Sequence, residues 1–274
     1  MNDSESGAQL LARLGNRPTL QNLDPTLLPG GLQPKDVLEL YGESGSGKTQ
    51  SLLHWTAKCI LPSSWNDLEL NGLDAGVIFI DNDYHFNLIR LVGIMESTII
   101  AHCEAQKKEN PTEADLEELI KSSLSHLQLY HCSSSHQFAI TLFSLESILG
   151  HQPETCVLMI DSISSFYWLD RHSGGDRYKE QEKNLTAACT AIDNLRTTYQ
   201  ISIISSTSPL VQKKGIAGED YSDFLCKAWL RLVNRRILFS QKSQQNFMAK
   251  WISADKVASS RIFAIGEQGL IFTE

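Results

Sequence analysis

The amino-acid sequence predicts an α/β fold with a mostly parallel central sheet, helices on both faces and antiparallel strands at the C-terminal side. Three observations carry that expectation. Strand-like apolar runs alternate with helix-like segments along most of the chain, the order that gives a parallel sheet covered on both sides. Two of those runs, Gly76–Asp83 and Cys156–Ser162, stay apolar until they end in carboxylates. Buried parallel strands read this way when they deliver polar groups to the sheet's carboxyl edge, where ligands of open α/β sheets bind. A third run, Val37–Tyr41, leads straight into a Gly/Ser-rich turn followed by a helix-like segment, Gln50–Leu61.

That turn is Gly42-Glu43-Ser44-Gly45-Ser46-Gly47-Lys48-Thr49, which fits G-x-x-x-x-G-K-[ST] at every fixed position. Its glycines let backbone N–H groups point inward around a phosphate, and Lys48 adds a mobile positive charge for the outer phosphates. Thr49 offers a hydroxyl to Mg²⁺. A strand, this loop and then a helix is the order a bound triphosphate requires.

The chain has 274 residues, of which 42% are apolar, enough to bury a substantial core. A formal net charge of -8 leaves no general basic field for a nucleic-acid backbone, so any contact with DNA is expected to be local or through partners. The six cysteines form no C-x-x-C pair, which suits reduced thiols in a cytosolic or nuclear compartment. No apolar run is long enough to cross a bilayer, so no membrane role is expected.

Taken in order, the first 35 or so residues are too few for an independent domain, and Leu10–Leu14 forms a short amphipathic patch expected to dock on the chain's own core. The strand ending at Asp83 offers Asp81 and Asp83 either to a nucleotide or as caps for the next helix, in which Leu88, Ile89, Leu91, Val92 and Met95 read as core. A charged, proline-containing excursion (104–113) precedes an acidic amphipathic helix, a strand at Leu127–Cys132 and a helix at His136–Gly150. About 110 residues after the glycine-rich turn, Cys156–Asp161 has the pattern of a Walker B strand. The Asp161 carboxylate is expected to hold Mg²⁺ opposite Thr49. The aromatic stretch Phe166-Tyr167-Trp168 near Arg171 reads either as anchors against a core or partner, or as a stacking surface for single-stranded bases. A long helix (178–198), a strand (201–207) and four short strands near 237–240, 247–252, 261–265 and 270–273 complete the chain. Arg231, Arg235 and Arg236 form the one basic cluster, expected to pair with acidic neighbours, and Lys213 and Lys214 read as solvated loop residues.

The segment Leu28-Pro29-Gly30-Gly31-Leu32, a turn, a strand and a phosphate loop ending in Lys48-Thr49-Gln50 together resemble the entry to the core of RecA-type strand-exchange recombinases. The resemblance runs from about Leu28 to the C-terminus. Asp81-Asn82-Asp83-Tyr84-His85-Phe86, His131-Cys132-Ser133-Ser134-Ser135, Leu145-Glu146-Ser147, Phe166-Tyr167-Trp168 and Leu225-Cys226-Lys227-Ala228-Trp229 resemble a eukaryotic recombinase paralogue within that family. The resemblance implies a RecA-like P-loop NTPase core over residues 36–274, with 1–35 as a short segment and no separate domain. It also implies ATP and Mg²⁺ as cofactors.

In the family, the position matching Asp83 is a glutamate that orients the attacking water. Aspartate shortens that reach by one methylene, about 1.5 Å, and a misplacement of that size costs about a hundredfold in rate. The position matching Ser208 is a glutamine that senses the γ-phosphate, and a serine hydroxyl does not reach as far. The resemblance therefore implies weak ATPase activity at most, with Asp83 as the candidate catalytic residue. No Phe-x-x-Ala sequence, the hook one family subunit lends the next, occurs in the chain. The implied role is a nuclear, non-filament-forming end subunit of a hetero-oligomer of paralogues that supports homologous recombination at DNA breaks and damaged replication forks. Single-stranded or branched DNA would be reached through the complex. The alternatives are an active DNA-dependent ATPase or strand-exchange enzyme and, more remotely, a P-loop small-molecule kinase.

Overall fold

A computed structural model describes residue 7 and residues 17–173, 177–210, 225–251 and 259–272. The patch at Leu10–Leu14 and the lysines Lys213 and Lys214 lie outside the described residues. The chain order is β1 (Val37–Gly42), α1 (Lys48–Ile60), a small hairpin of β2 (Ser64–Trp65) and β3 (Leu68–Glu69), β4 (Gly76–Asp81), α2 (Leu88–Ala105), α3 (Glu113–Leu124), β5 (Leu127–His131), α4 (Ser135–Leu149) and β6 (Thr155–Asp161). It continues through α5 (Tyr167–Ser173), α6 (Arg177–Tyr199), β7 (Ser202–Thr207), α7 (Lys227–Leu232), β8 (Arg235–Gln241), β9 (Asn246–Trp251), β10 (Ser260–Gly266) and β11 (Gly269–Phe272).

Among the described residues, nine strands form one sheet in the order β11-β10-β9-β8-β1-β7-β6-β4-β5. From β8 to β5 every neighbour is parallel, and from β8 to β11 every neighbour is antiparallel. The expected architecture is present, with one refinement: β8 lies parallel to β1, so the antiparallel part begins only at β9. The hairpin of β2 and β3 has no counterpart in the sequence reading, because two-residue strands carry no periodicity to read.

Adjacent residues of a strand face opposite sides, which is why the central strands are apolar without alternation. Val77 and Phe79 of β4 join a core with α1, α2 and α3, while Ile78 and Ile80 join a second core with α4, α6 and α7. The first core also takes in Leu20, Leu23, Leu27, Leu28 and Leu32 from the segment before β1. Asp24 fixes that segment by accepting from the Trp55 Nε1–H at 2.9 Å and the Leu27 N–H at 2.8 Å. Helix starts carry their caps: Asn87, Thr112 and Ser134 accept from backbone N–H groups of Arg90, Asp115 and Gln137.

The core of α2 corrects the expectation. Its buried stripe is Leu91, Ile94, Met95, Ile99 and Cys103, whereas Leu88 is 51% and Ile89 84% exposed. The first turn of α2 adjoins the loop at the sheet's carboxyl edge, and Ile89 falls off the helical stripe that faces the core. In α4 the expected stripe of Phe138, Leu142, Leu145 and Leu149 is buried as read.

Candidate functional site

The carboxyl ends of β1, β4, β6 and β7 lie side by side, because those strands are parallel and consecutive neighbours β1-β7-β6-β4. Residues at or just after those ends line a cleft of about 330 Å³. The walls are Ser44 to Gln50 from the glycine-rich turn, Asp83 and His85 after β4, Asp161 from β6, and Ser206 and Ser208 at the end of β7. Gly42 and Glu43 form the base of the turn, where their carbonyls accept from the Lys48 ammonium at 2.6 and 2.9 Å. Gly42 has to be glycine: a Cβ there would sit 2.3 Å from the Phe239 carbonyl oxygen. Gly47 caps α1 with a φ of 98°, a conformation that glycine adopts without strain.

Thr49 and Asp161 meet across the cleft. The Thr49 hydroxyl donates to one Asp161 oxygen at 2.7 Å, and the Ser206 hydroxyl donates to the other. Burial pushes the Asp161 carboxyl above the usual range, with the repulsion of Asp83 and Asp81 adding to it, against the two hydroxyl hydrogen bonds. Burial likewise pulls the Lys48 ammonium down, opposed by the negative charges of Asp161, Asp83 and Glu43. A lysine and a helix N-terminus on one side, with a hydroxyl and a carboxylate on the other, are groups of the kind that can hold a Mg²⁺-bound polyphosphate. One observation favours that fit directly: the Ser46 hydroxyl is buried in the turn with no hydrogen-bond partner.

The two carboxylates after β4 have different surroundings. Asp81 is fully buried and accepts from the N–H groups of His85 and Phe86 at 3.0 and 2.9 Å, so it builds the turn. Asp83 lies on the cleft wall, tied by its own N–H to the Asp161 carbonyl at 3.1 Å. Ser208 is also on the wall, its N–H donating to Ser164 Oγ at 3.1 Å.

Sequence reasoning missed three participants. Ser206 precedes the expected sensor position by two residues, and only the register of β7 against β6 brings it to Asp161. His85 is read only as part of the Asp81–Phe86 stretch, with no role given it. Glu39 lies mid-strand in β1, fully buried, and accepts from Thr207 and Trp229 while pairing with Arg236.

The basic cluster divides as expected for two of its three members. Arg235 reaches Asp36 at 3.2 Å and Arg236 pairs with Glu39, while Arg231 is exposed. Of the aromatic stretch, Phe166 is buried and Trp168 is 43% exposed, with the Arg171 guanidinium 5.2 Å from the Trp168 ring. Among the described residues no helix is long and apolar enough to cross a membrane.

The sequence model of the Rad51 family matches residues 18–270, nearly the whole described chain and every residue of the cleft. The chain belongs to the Rad51 family. Within that family it is 39% identical over 256 residues to the Mus musculus protein named DNA repair protein XRCC2, covering 88% of this chain and 86% of that one. It is 26% identical over 306 residues to the Arabidopsis thaliana DNA repair protein XRCC2 homolog, covering 89% and 81%. The Saccharomyces cerevisiae DNA repair protein RAD51 is 22% identical over 195 residues, covering 71% of this chain and 42% of that one. The recombinase-type resemblance and the RecA-like fold expected from the residues are therefore correct for this Rad51-family chain.

Proposed function

We propose that this chain is a nucleotide-binding Rad51-family paralogue that serves in DNA repair as a subunit of a multi-paralogue complex. The observation that carries the reading is the meeting of Thr49 and Asp161 beneath the glycine-rich turn, beside an Asp83 and a Ser208 where longer side chains would be needed for turnover. Residues 42–47 would wrap the phosphates with backbone amides. Lys48 would exchange its loop carbonyls for phosphate oxygens, and Thr49 and Asp161 would hold the Mg²⁺ shell. When bound, Mg²⁺-ATP supplies a cleavable phosphoanhydride, and this chain's residues chiefly bind and orient it. Asp83 is the residue left to position water, and its short reach makes hydrolysis slow.

The partners on this reading are other Rad51-family paralogues, with this chain at one end of the assembly and DNA engaged through the complex, in the nucleus. The relatives named as DNA repair proteins support the repair role, and the missing Phe-x-x-Ala sequence supports the end position. On this reading residues 36–274 are one core, and Leu20, Leu23, Leu27, Leu28 and Leu32 from the segment before β1 pack into it.

Light scattering of the purified chain with Mg²⁺-ATP and single-stranded DNA tests this. The chain should remain small alone and form a defined complex when mixed with purified Rad51-family paralogues. Long filaments of this chain alone would refute it.

A further inference from the structure

All six cysteines are free and buried, and two of them touch. Cys189, midway along α6, and Cys226, the residue before α7, lie with their sulfurs 4.0 Å apart. We infer that Cys189 and Cys226 are a peroxide-oxidisable pair that closes to a disulfide and joins α6 to α7.

The roles of the two sulfurs are unequal. The contact with Cys189 and the N–H groups of Trp229 and Ala228 favour a negative sulfur at Cys226, so its thiol is drawn below the usual range despite burial. Cys189, beside Cys226 and more deeply buried, is pushed up. The thiolate is the nucleophile in cysteine oxidation, so Cys226 is the attacking sulfur and Cys189 the resolving one. Cys226 is also the better reached, at 6% exposed against 1%. Three of the other four thiols differ: burial raises those of Cys59, Cys132 and Cys156, which keeps them protonated.

The oxidant is a hydroperoxide. Cys226 sulfur attacks one peroxide oxygen and the O–O bond breaks. The departing hydroxide takes a proton to become water, leaving a sulfenic acid. Cys189 sulfur then attacks that sulfur, the S–O bond breaks, and the departing hydroxide leaves as a second water with the proton Cys189 gives up. Two thiols lose two electrons in all, and one hydrogen peroxide becomes two waters. Closing from contact to a bonded pair takes about 2 Å, which side-chain rotation and a small shift of the short α7 supply.

The place matters because α7 carries Trp229, whose indole N–H donates to Glu39 at 2.8 Å, and Thr207 at the end of β7 donates to the same carboxylate. A Cys189–Cys226 bond would therefore fix α7, which carries Trp229 against Glu39, to α6. A redox-sensing pair is also the kind of disulfide that suits a reducing compartment.

The test uses the full-length chain, reduced, then treated with hydrogen peroxide, alkylated under denaturing conditions and digested with trypsin. Peptide 184–196 should appear joined to peptide 215–227 with a mass lower by two hydrogens, and reductant should separate them. Cys59, Cys132 and Cys156 should alkylate as in the untreated protein. In C189S the oxidation should stop at a sulfenic acid on Cys226, trapped by dimedone, and in C226S Cys189 should stay a thiol. Full alkylation of both thiols in peroxide-treated wild type would overturn the inference, as would Cys226 joined to a different cysteine.

Discussion

Replacing Asp161 by asparagine separates what the site does for binding from what it costs in stability. The carboxylate is buried and accepts two hydroxyl hydrogen bonds, from Thr49 and Ser206, with Asp81 and Asp83 adding negative charge nearby. Asparagine keeps the shape and both partners, since either hydroxyl can turn to accept from the amide. It gives up the extra strength of hydrogen bonds to a charge, about 1 kcal/mol each. It also removes the residual cost of a buried carboxylate, which is several kcal/mol. Burial is the largest influence on this group and raises its pKa, so removing the charge should stabilise the nucleotide-free protein, by about 1 kcal/mol, or a rise of about 2–4 °C in Tm. The wild type should gain about 2.7 kcal/mol when Mg²⁺-ATP is present at a hundred times its Kd, and the variant should lose the Mg²⁺-dependent part of that gain. Differential scanning calorimetry with and without Mg²⁺-ATP reads both effects. A variant that melts below wild type without nucleotide, or that keeps the full Mg²⁺-ATP shift, would refute the reasoning.

Glu39→Ala removes the buried carboxylate that pairs with the Arg236 guanidinium and accepts from Thr207 and Trp229, and should cost about 3–5 kcal/mol, read by urea denaturation. Ser206→Ala removes a hydrogen bond that lowers the Asp161 pKa, so Mg²⁺-dependent nucleotide binding, which needs the carboxylate, should fail at a higher pH than in wild type; titrating binding against pH checks it. For nucleotide-free wild type the raised Asp161 pKa works the other way, its contribution to stability being present in acid and lost as pH rises from the unfolded value of 3.8 through the folded one. Leu91→Ala should cost about 2–5 kcal/mol, whereas Ile89→Ala, two residues earlier on α2 but 84% exposed, should stay within about 0.5 kcal/mol; paired denaturation curves decide this.

The parts legible in the sequence were those governed by local pattern. Cys156–Asp161 and Gly76–Asp81 read as buried strands because both their faces are covered, and the glycine-rich turn announced its own chemistry between a strand and a helix. Asp161 and Thr49 were paired from opposite ends of a 112-residue separation because a parallel sheet brings strand ends to one edge. What stayed hidden depends on register or on position along an element. Ser206 reaches Asp161 only because β7 lies beside β6. Glu39 looks like an isolated acid in an apolar strand until Thr207, Trp229 and Arg236, all more than 160 residues away, close around it. Leu88 and Ile89 looked like core because apolar spacing does not say where a helix passes the edge of its sheet.

Equilibrium binding of labelled ATP to the purified full-length chain, followed by identification of the bound nucleotide, is the most direct measurement. The cleft should take up one ATP per chain in a Mg²⁺-dependent way, lose it in Lys48→Ala, and return it after long incubation mainly as ATP, with or without DNA. Binding unaffected by Mg²⁺ and by Lys48→Ala, or rapid DNA-stimulated conversion to ADP over many turnovers, would contradict a pocket that holds a triphosphate and barely cleaves it.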